Sequence, residues 1–339
     1  MIFEVKEEVP IQLLGMPEGP TREILERCDF VSIQTLRKTC HSLRNFIDDQ
    51  TTLDPKFSNL YFIFDLDHIT LTLYSEKSDN ATEFTCQEAG NDTKLIYEKD
   101  QKNHEKLIKD VSYIDLFCQD FKLLTKNSKS IPSMSLNFLT DALPEKLSKK
   151  LQQILKSRNF RTEVLFFNVN GSSQIHSFLQ CFDSNFLKFL CISDSKKSDR
   201  TLHLEEIVKL EQWKKLEVVK IQCNTVRKPE RLKHLKEGVA NFMTITRKDV
   251  EVLKESFLNS PIFSKMKLRY NYMDDTPQIF QFLGDHCWDK DIGFELRRTW
   301  LFRIPNPQDD VLSVEISSRY VIFKRIKWDK VPIGAIVKE

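Results

Sequence analysis

The sequence predicts a mixed α/β protein in two parts: a small three-helix N-terminal module, then a repeat-like α/β body with a β-rich C-terminal end. Three observations point there. Apolar residues recur at helical spacing through the first fifty positions, they alternate at period two from Leu60 onward, and after Val111 helical and strand patterns follow one another repeatedly. The 339 residues include 25 Phe, more than the 8 Gly and 12 Pro together, a bias towards packed elements over long loops.

In the N-terminal module, Thr21, Ile24, Leu25 and Cys28 fall at i, i+3, i+4 and i+7, with Pro20 in a first turn where a missing N–H costs nothing. Ile33, Leu36, Cys40, Leu43 and Ile47 then recur at spacings of three and four, and Ser32 is the expected N-cap. Helices this short bury little surface of their own. Their apolar stripe therefore needs a cover, either the body of the protein or a partner.

Beyond Asp49 the period changes. Leu60, Phe62 and Phe64, then Ile69, Leu71 and Leu73, alternate on either side of the polar residues 65–68, which predicts a β-hairpin. A weaker strand pair is expected near residues 82–86 and 94–97. Helices are expected near 113–125, 144–157, 175–182, 204–216 and 249–258, alternating with strands centred near Leu136, Phe166, Leu190, Lys220, Thr244 and Leu268. The strand centres lie 24 or 30 residues apart, the range in which one helix and one strand form a leucine-rich-repeat-like unit that buries its face by stacking on its neighbours. An ordinary α/β sandwich of βα units gives a similar alternation. The apolar segments between Trp300 and Ile326 read as strands closing one edge.

Composition narrows the function classes. With 51 Lys and Arg against 49 Asp and Glu, the net charge of +2 calls for no polyanionic partner, and no apolar run approaches the ~18 residues of a membrane span. The first ten residues lack the basic flank and apolar run of a signal peptide, so the expected location is intracellular, cytoplasmic or nuclear. Eight cysteines with no C-x-x-C spacing suggest reduced, mostly buried thiols, with neither a metal site nor a disulfide framework. Charge is uneven along the chain: the first fifty residues hold nine acids and six bases, and the remainder carries the excess of positive charge. Residues 195–236 hold twelve bases and six acids without interleaved aromatics, which fits a solvated helix face better than a nucleic-acid groove.

One enzyme reading has to be weighed. Asp65 and Asp67 superficially match the D-x-D signature of haloacid-dehalogenase-type phosphatases, and Gly284-Asp285 through Asp289 offers the spacing those enzymes use for magnesium. Such enzymes follow D-x-D with a loop and a helix. Here the alternating strand Ile69, Leu71, Leu73 follows, so the two acids are read as turn residues and Gly284 as a helix stop.

The Met16-Pro17 opening, the Ile24-Leu25 pair, the Asp29-Phe30 turn and Leu36, Cys40, Leu43 and Ile47 fall in one ungapped register that resembles the F-box. Gly19, Pro20 and Thr21 stand where that family has apolar residues, a departure expected to weaken the first helical turn. Residues 204–221, 247–263, 300–306 and 323–326 look like the FTH domain that follows an F-box in the nematode F-box A family. The resemblance implies an F-box over residues 10–50, a connecting β-rich segment over 55–105 and an FTH-like α/β domain over 110–339. It also implies a substrate-recognition adaptor of a Skp–cullin–F-box (SCF) ubiquitin ligase with no catalytic residue, no cofactor and no metal of its own. The F-box pattern assigns Leu14, Met16, Pro17, Ile24, Leu25, Ile33, Leu36, Cys40 and Leu43 to making or supporting the interface with a Skp-type linker protein, while the body binds a target protein that motifs do not spell. A non-degradative scaffold needs the same helices.

Overall fold

In the computed structural model the described residues are 15–28, 30–37, 39–49, 56–76, 78–99, 102–128, 130–158, 160–194, 202–225, 228–274, 276–286, 288–292, 295–305 and 310–338. They fall into two compact units. One comprises the described residues up to Phe62 together with Asp67–Pro132, and the other Ile63–Leu66 with Ser133–Glu339.

The first unit begins with α1 (Glu18–Arg27), α2 (Phe30–Arg37) and α3 (His41–Asp49). Strands β1 (Phe57–Phe64), β2 (His68–Ser75), β3 (Ser78–Ala89), β4 (Asp92–Lys99) and β5 (Lys102–Ile108) follow, each neighbouring the next, and then α4 (Tyr113–Leu124). The expected hairpin is there, although His68 already belongs to its second strand. The inward residues of β2 are Ile69, Leu71 and Leu73, and its buried polar residues are satisfied across the ladder: Thr70 bonds Thr85 at 2.7 Å and Thr72 donates to Glu83 at 2.9 Å. Helix α4 buries Ile114, Phe117, Cys118 and Phe121 at i, i+3, i+4 and i+7, and Phe62 meets Phe117 and Phe121 edge-on at 6.3 and 5.3 Å.

The second unit is built as the repeat pattern predicts. Strands β6 (Ser133–Phe138), β7 (Val164–Val169), β8 (Phe189–Asp194), β9 (Val218–Thr225), β10 (Glu237–Ile245) and β11 (Lys265–Met273) lie side by side in chain order, all parallel. Parallel neighbours need a crossover. These are α5 (Glu145–Arg158), α6 (Ser172–Leu179), the single turn α7 (Glu211–Lys214) and α8 (Arg247–Asn259), with a 3₁₀ turn at Pro229–Leu232 between β9 and β10. Strand order without reversal is the arrangement of stacked repeats, in contrast to the switch point of a doubly wound sheet. After α9 (Thr276–Leu283) come β12 (Trp288–Ile292), β13 (Glu295–Arg303), β14 (Asp310–Ile316), β15 (Tyr320–Lys327) and β16 (Val337–Lys338). Strand β15 pairs antiparallel with β11, and β14, β13 and β12 follow outward, so the C-terminal strands close the edge as expected.

The core of this unit is a ladder of alternate residues. Met134, Leu165, Leu190, Val219, Gly238, Met266 and Phe323 face one another in register from β6 to β15, all but Gly238 with hydrophobic side chains buried to 1% exposure or less. Gly238 holds its rung without a side chain because a Cβ there would lie 2.8 Å from the thioether of Met266, which fills the space from the next strand. The helices cover this face: Phe138 packs on Phe178 of α6 at 5.4 Å and Phe323 on Phe257 of α8 at 5.3 Å. Helix α8 starts with a capping box in which Thr246 Oγ1 accepts from the Asp249 amide and Asp249 accepts from the Thr246 amide. Gly284, at φ +70°, stops α9 as expected, and its carbonyl accepts a 2.7 Å hydrogen bond from the Trp300 indole.

Candidate partner-binding site

The N-terminal helices make a core from their own residues. Leu25 of α1, Ile33 of α2 and Leu43 and Ile47 of α3 form one buried cluster, with Cys28, Leu36 and Phe46 packed around it. Their ends are tied locally. Pro17 precedes α1 and accepts from the buried Thr21 hydroxyl at 3.1 Å, so the Gly19-Pro20-Thr21 segment forms a regular first turn with Gly19 and Pro20 exposed. The turn is formed despite that departure, with the Thr21 hydroxyl bonded back to the Pro17 carbonyl where the family has apolar packing. Helix α2 begins at Phe30 and Ser32 lies inside it; Ser32 is therefore not its N-cap. Cys40 sits between α2 and α3 in the N-cap position, its Sγ accepting from the Leu43 amide at 3.4 Å. Arg44 Nε donates to the Arg37 carbonyl at 3.2 Å, closing the C-terminal end of α2 with positive charge.

This packing sorts the nine candidate interface residues. Leu25, Ile33 and Leu43 are buried within the cluster. Pro17 and Cys40 are exposed, Ile24 is 40% exposed, and Met16 and Leu36 are half-buried. Ile24 lies three residues after buried Thr21 and four before Cys28, which places it on the border of the α1 stripe where an aliphatic group can meet a second surface. Leu14 and Asp29 lie outside the described residues. Glu18–Arg22 and Glu23–Arg27 ion pairs at 2.6 and 2.5 Å run along the exposed face of α1, where each is worth only a few tenths of a kcal/mol.

Seven cysteines fall among the described residues, five of them buried, while Cys287 lies outside them. Burial pushes the Cys86 and Cys223 thiols up to about 12 and Cys181 to about 11, whereas Cys40 is exposed. Iodoacetamide at pH 8 is therefore expected to label Cys40 in the native protein before Cys86, Cys181 or Cys223, which become reactive on unfolding; peptide mass mapping reads the order.

The two acids of the enzyme reading are turn residues. Asp65 Oδ1 accepts from the Leu66 amide at 2.7 Å, and Asp67 pairs with His68 Nδ1 at 2.8 Å, a contact that lowers the Asp67 proton affinity. Strand β2 starts directly after them, so the loop and helix that a haloacid-dehalogenase site needs at this point are replaced by a hairpin. The described bases within 195–236 divide similarly: Lys209 and Lys214 pair with Glu206 and Glu211 at 2.6 and 2.7 Å on a solvated helical surface, and residues 195–201 and 226–227 lie outside the described set.

Three short helices sharing one small core, with aliphatic residues left at their border, are the arrangement of an F-box, and the F-box domain family matches residues 13–53. The FTH domain family matches residues 145–284, from the first residue of α5 to the stop of α9. The chain thus carries, in order, a segment that matches the F-box and a segment that matches the FTH domain. F-box domains generally bind Skp-type linkers, and this architecture is that of SCF adaptor subunits at the general level, typical of non-catalytic proteins. No curated protein matches the chain. Among the described residues no helix is long and apolar enough to cross a membrane.

Proposed function

We propose that this chain is the substrate-recognition subunit of an SCF ubiquitin ligase, with α1–α3 docking on the linker and the βα body holding a target protein. The observation that carries the reading is the split within the F-box: a self-sufficient core of Leu25, Ile33, Leu43 and Ile47 leaves Pro17, Ile24 and Cys40 free to enter an apolar groove, with Met16 and Leu36 partly available. The chemistry belongs to the ligase. Holding the target beside the charged conjugating enzyme converts ubiquitin transfer into a nearly intramolecular event at raised effective concentration. Such a role places the protein in the cytoplasm or nucleus.

Ile24→Lys is the discriminating variant, because its side chain is exposed enough to accept an ammonium without disturbing the core. Tagged wild type is expected to co-purify linker and cullin, and Ile24→Lys to lose both by about tenfold or more while melting at the wild-type temperature. A wild-type protein that never retains the linker defeats the adaptor reading. Linker without cullin defeats the degradative role and leaves a scaffold.

A further inference from the structure

Among the described residues, the helices of the second unit pack on one face of its sheet and none is seen on the other. Alternate residues emerge on the helix-free face, and the register sets them in rows across the strands. One row runs Ser135, Phe166, Cys191, Lys220, Val239 and Lys267 from β6 to β11. Its chemistry is graded. Near β7 and β8, Phe166 is 38% exposed and tilts against Phe189 at 5.8 Å, an apolar patch. On β11 and β15, Lys265, Lys267 and Arg269 stand at alternate positions of one strand, and Lys324 lies opposite Lys265.

Glu237 of β10 is the register partner of Lys265 on this face. Among the described residues no carboxylate lies within 4.0 Å of Lys220, Lys265, Arg269 or Lys324. Glu315, the nearby acid on β14, is already engaged: it accepts from the Tyr320 hydroxyl at 3.0 Å and lies 3.6 Å from Arg297. Lys267 sits 4.3 Å over the Tyr320 ring. Its proton affinity is lowered, by burial first and then by Arg269, Lys265 and Arg297, so the cations crowd one another. A surface that concentrates like charge gains most from an acidic ligand.

We propose that this helix-free face is the docking surface for an extended acidic segment of a partner protein, its carboxylates over Lys265, Lys267 and Arg269 and an apolar side chain against Phe166 and Phe189. The proposal deepens the adaptor reading by naming the chemistry of the target. Four strand spacings separate β7 from β11, about 19 Å, which an extended chain spans in about six residues. Glu237, the register partner of Lys265 on β10, sets a carboxylate within the face, which suits a peptide of mixed character better than a uniformly negative nucleic-acid strand.

The test is to pan the full-length chain with a random library of 12-residue peptides. Expected are peptides rich in Asp and Glu with an aromatic or large aliphatic residue about six positions from the acids, bound about tenfold or more weakly by Lys267→Glu/Arg269→Glu and several-fold more weakly by Phe166→Ala. A second pair, Lys265→Glu/Lys324→Glu, is expected to show the same loss, and thermal melts confirm that each variant is folded. Selection without acidic bias, or equal capture by the charge-reversed proteins, overturns the proposal. So does a 20-nucleotide single-stranded RNA that binds through the same cations more tightly than the peptides. Linker capture on the same proteins separates the two readings: charge reversal should leave it intact. A wild type that binds acidic peptides and no linker removes the adaptor role while keeping the docking face.

Discussion

Leu25→Lys is expected to unfold the F-box and abolish linker capture while the βα body stays folded. Leu25 is 0% exposed in a cluster whose other buried members among the described residues are Ile33, Leu43 and Ile47. A lysine there either buries an unpaired ammonium or swings its head to solvent by breaking the contact of α1 with α2 and α3, a loss of about 4 kcal/mol or more. A module of some forty residues has no reserve of that size. The measurement pairs co-purification with hydrogen exchange: fast exchange confined to α1–α3 and no linker is the expected result. Protection of α1–α3 equal to wild type would show that the cluster is not what holds them. The contrast with Ile24→Lys is informative, since two adjacent residues are then lost from binding for different physical reasons.

Phe138→Ala is expected to be the most damaging truncation in the second unit. Phe138 is fully buried at the end of β6 and touches three rings, Phe64 at 5.2 Å, Phe167 at 6.5 Å and Phe178 of α6 at 5.4 Å. Removing its ring leaves a cavity lined by rigid aromatics that cannot collapse, a cost of about 3–5 kcal/mol. For a unit of this size that corresponds to a fall in melting temperature of about 10 °C. Urea unfolding should show a lower midpoint with an unchanged slope; a loss under about 1 kcal/mol would mean that α6 moves in to fill the space.

The sequence was most legible where spacing and burial agree. Strands β6–β11 lie at the expected centres because each carries an inward apolar pair, such as Leu165 and Phe167 or Leu190 and Ile192, whereas the helix expected over 204–216 is reduced to a 3₁₀ turn at Ile207–Lys209 and the single turn Glu211–Lys214. Strand β5 was not anticipated, since its residues are mostly exposed and polar and no apolar alternation marks them. The start of α2 was misplaced by three residues because a serine at a plausible cap position outweighed Phe30 as a first helical residue.

The site was legible in part. Helical periodicity finds the F-box stripe but does not tell Ile24 from Leu25, neighbours in the chain whose exposures differ from 40% to 0%. The cationic face was hidden for another reason. Lys220, Lys267 and Lys324 come from three strands, and register rather than chain proximity assembles the face; of these only Lys220 falls in the 195–236 charge run, beside Lys209 and Lys214, which pair with their own helix neighbours.

The parallel order of β6–β11 also makes the body a ruler. Each βα unit adds one residue to every row of the open face and one strand spacing, about 4.8 Å, between Phe166 and Lys267. Gain or loss of a unit between them would change the separation of apolar and charged groups that the body reads, by about one and a half residues of extended chain, without altering any side chain on either end. On the proposed docking of a peptide to this face, a lineage of such proteins would diverge in what it measures by changing repeat number alone, with the F-box segment unchanged.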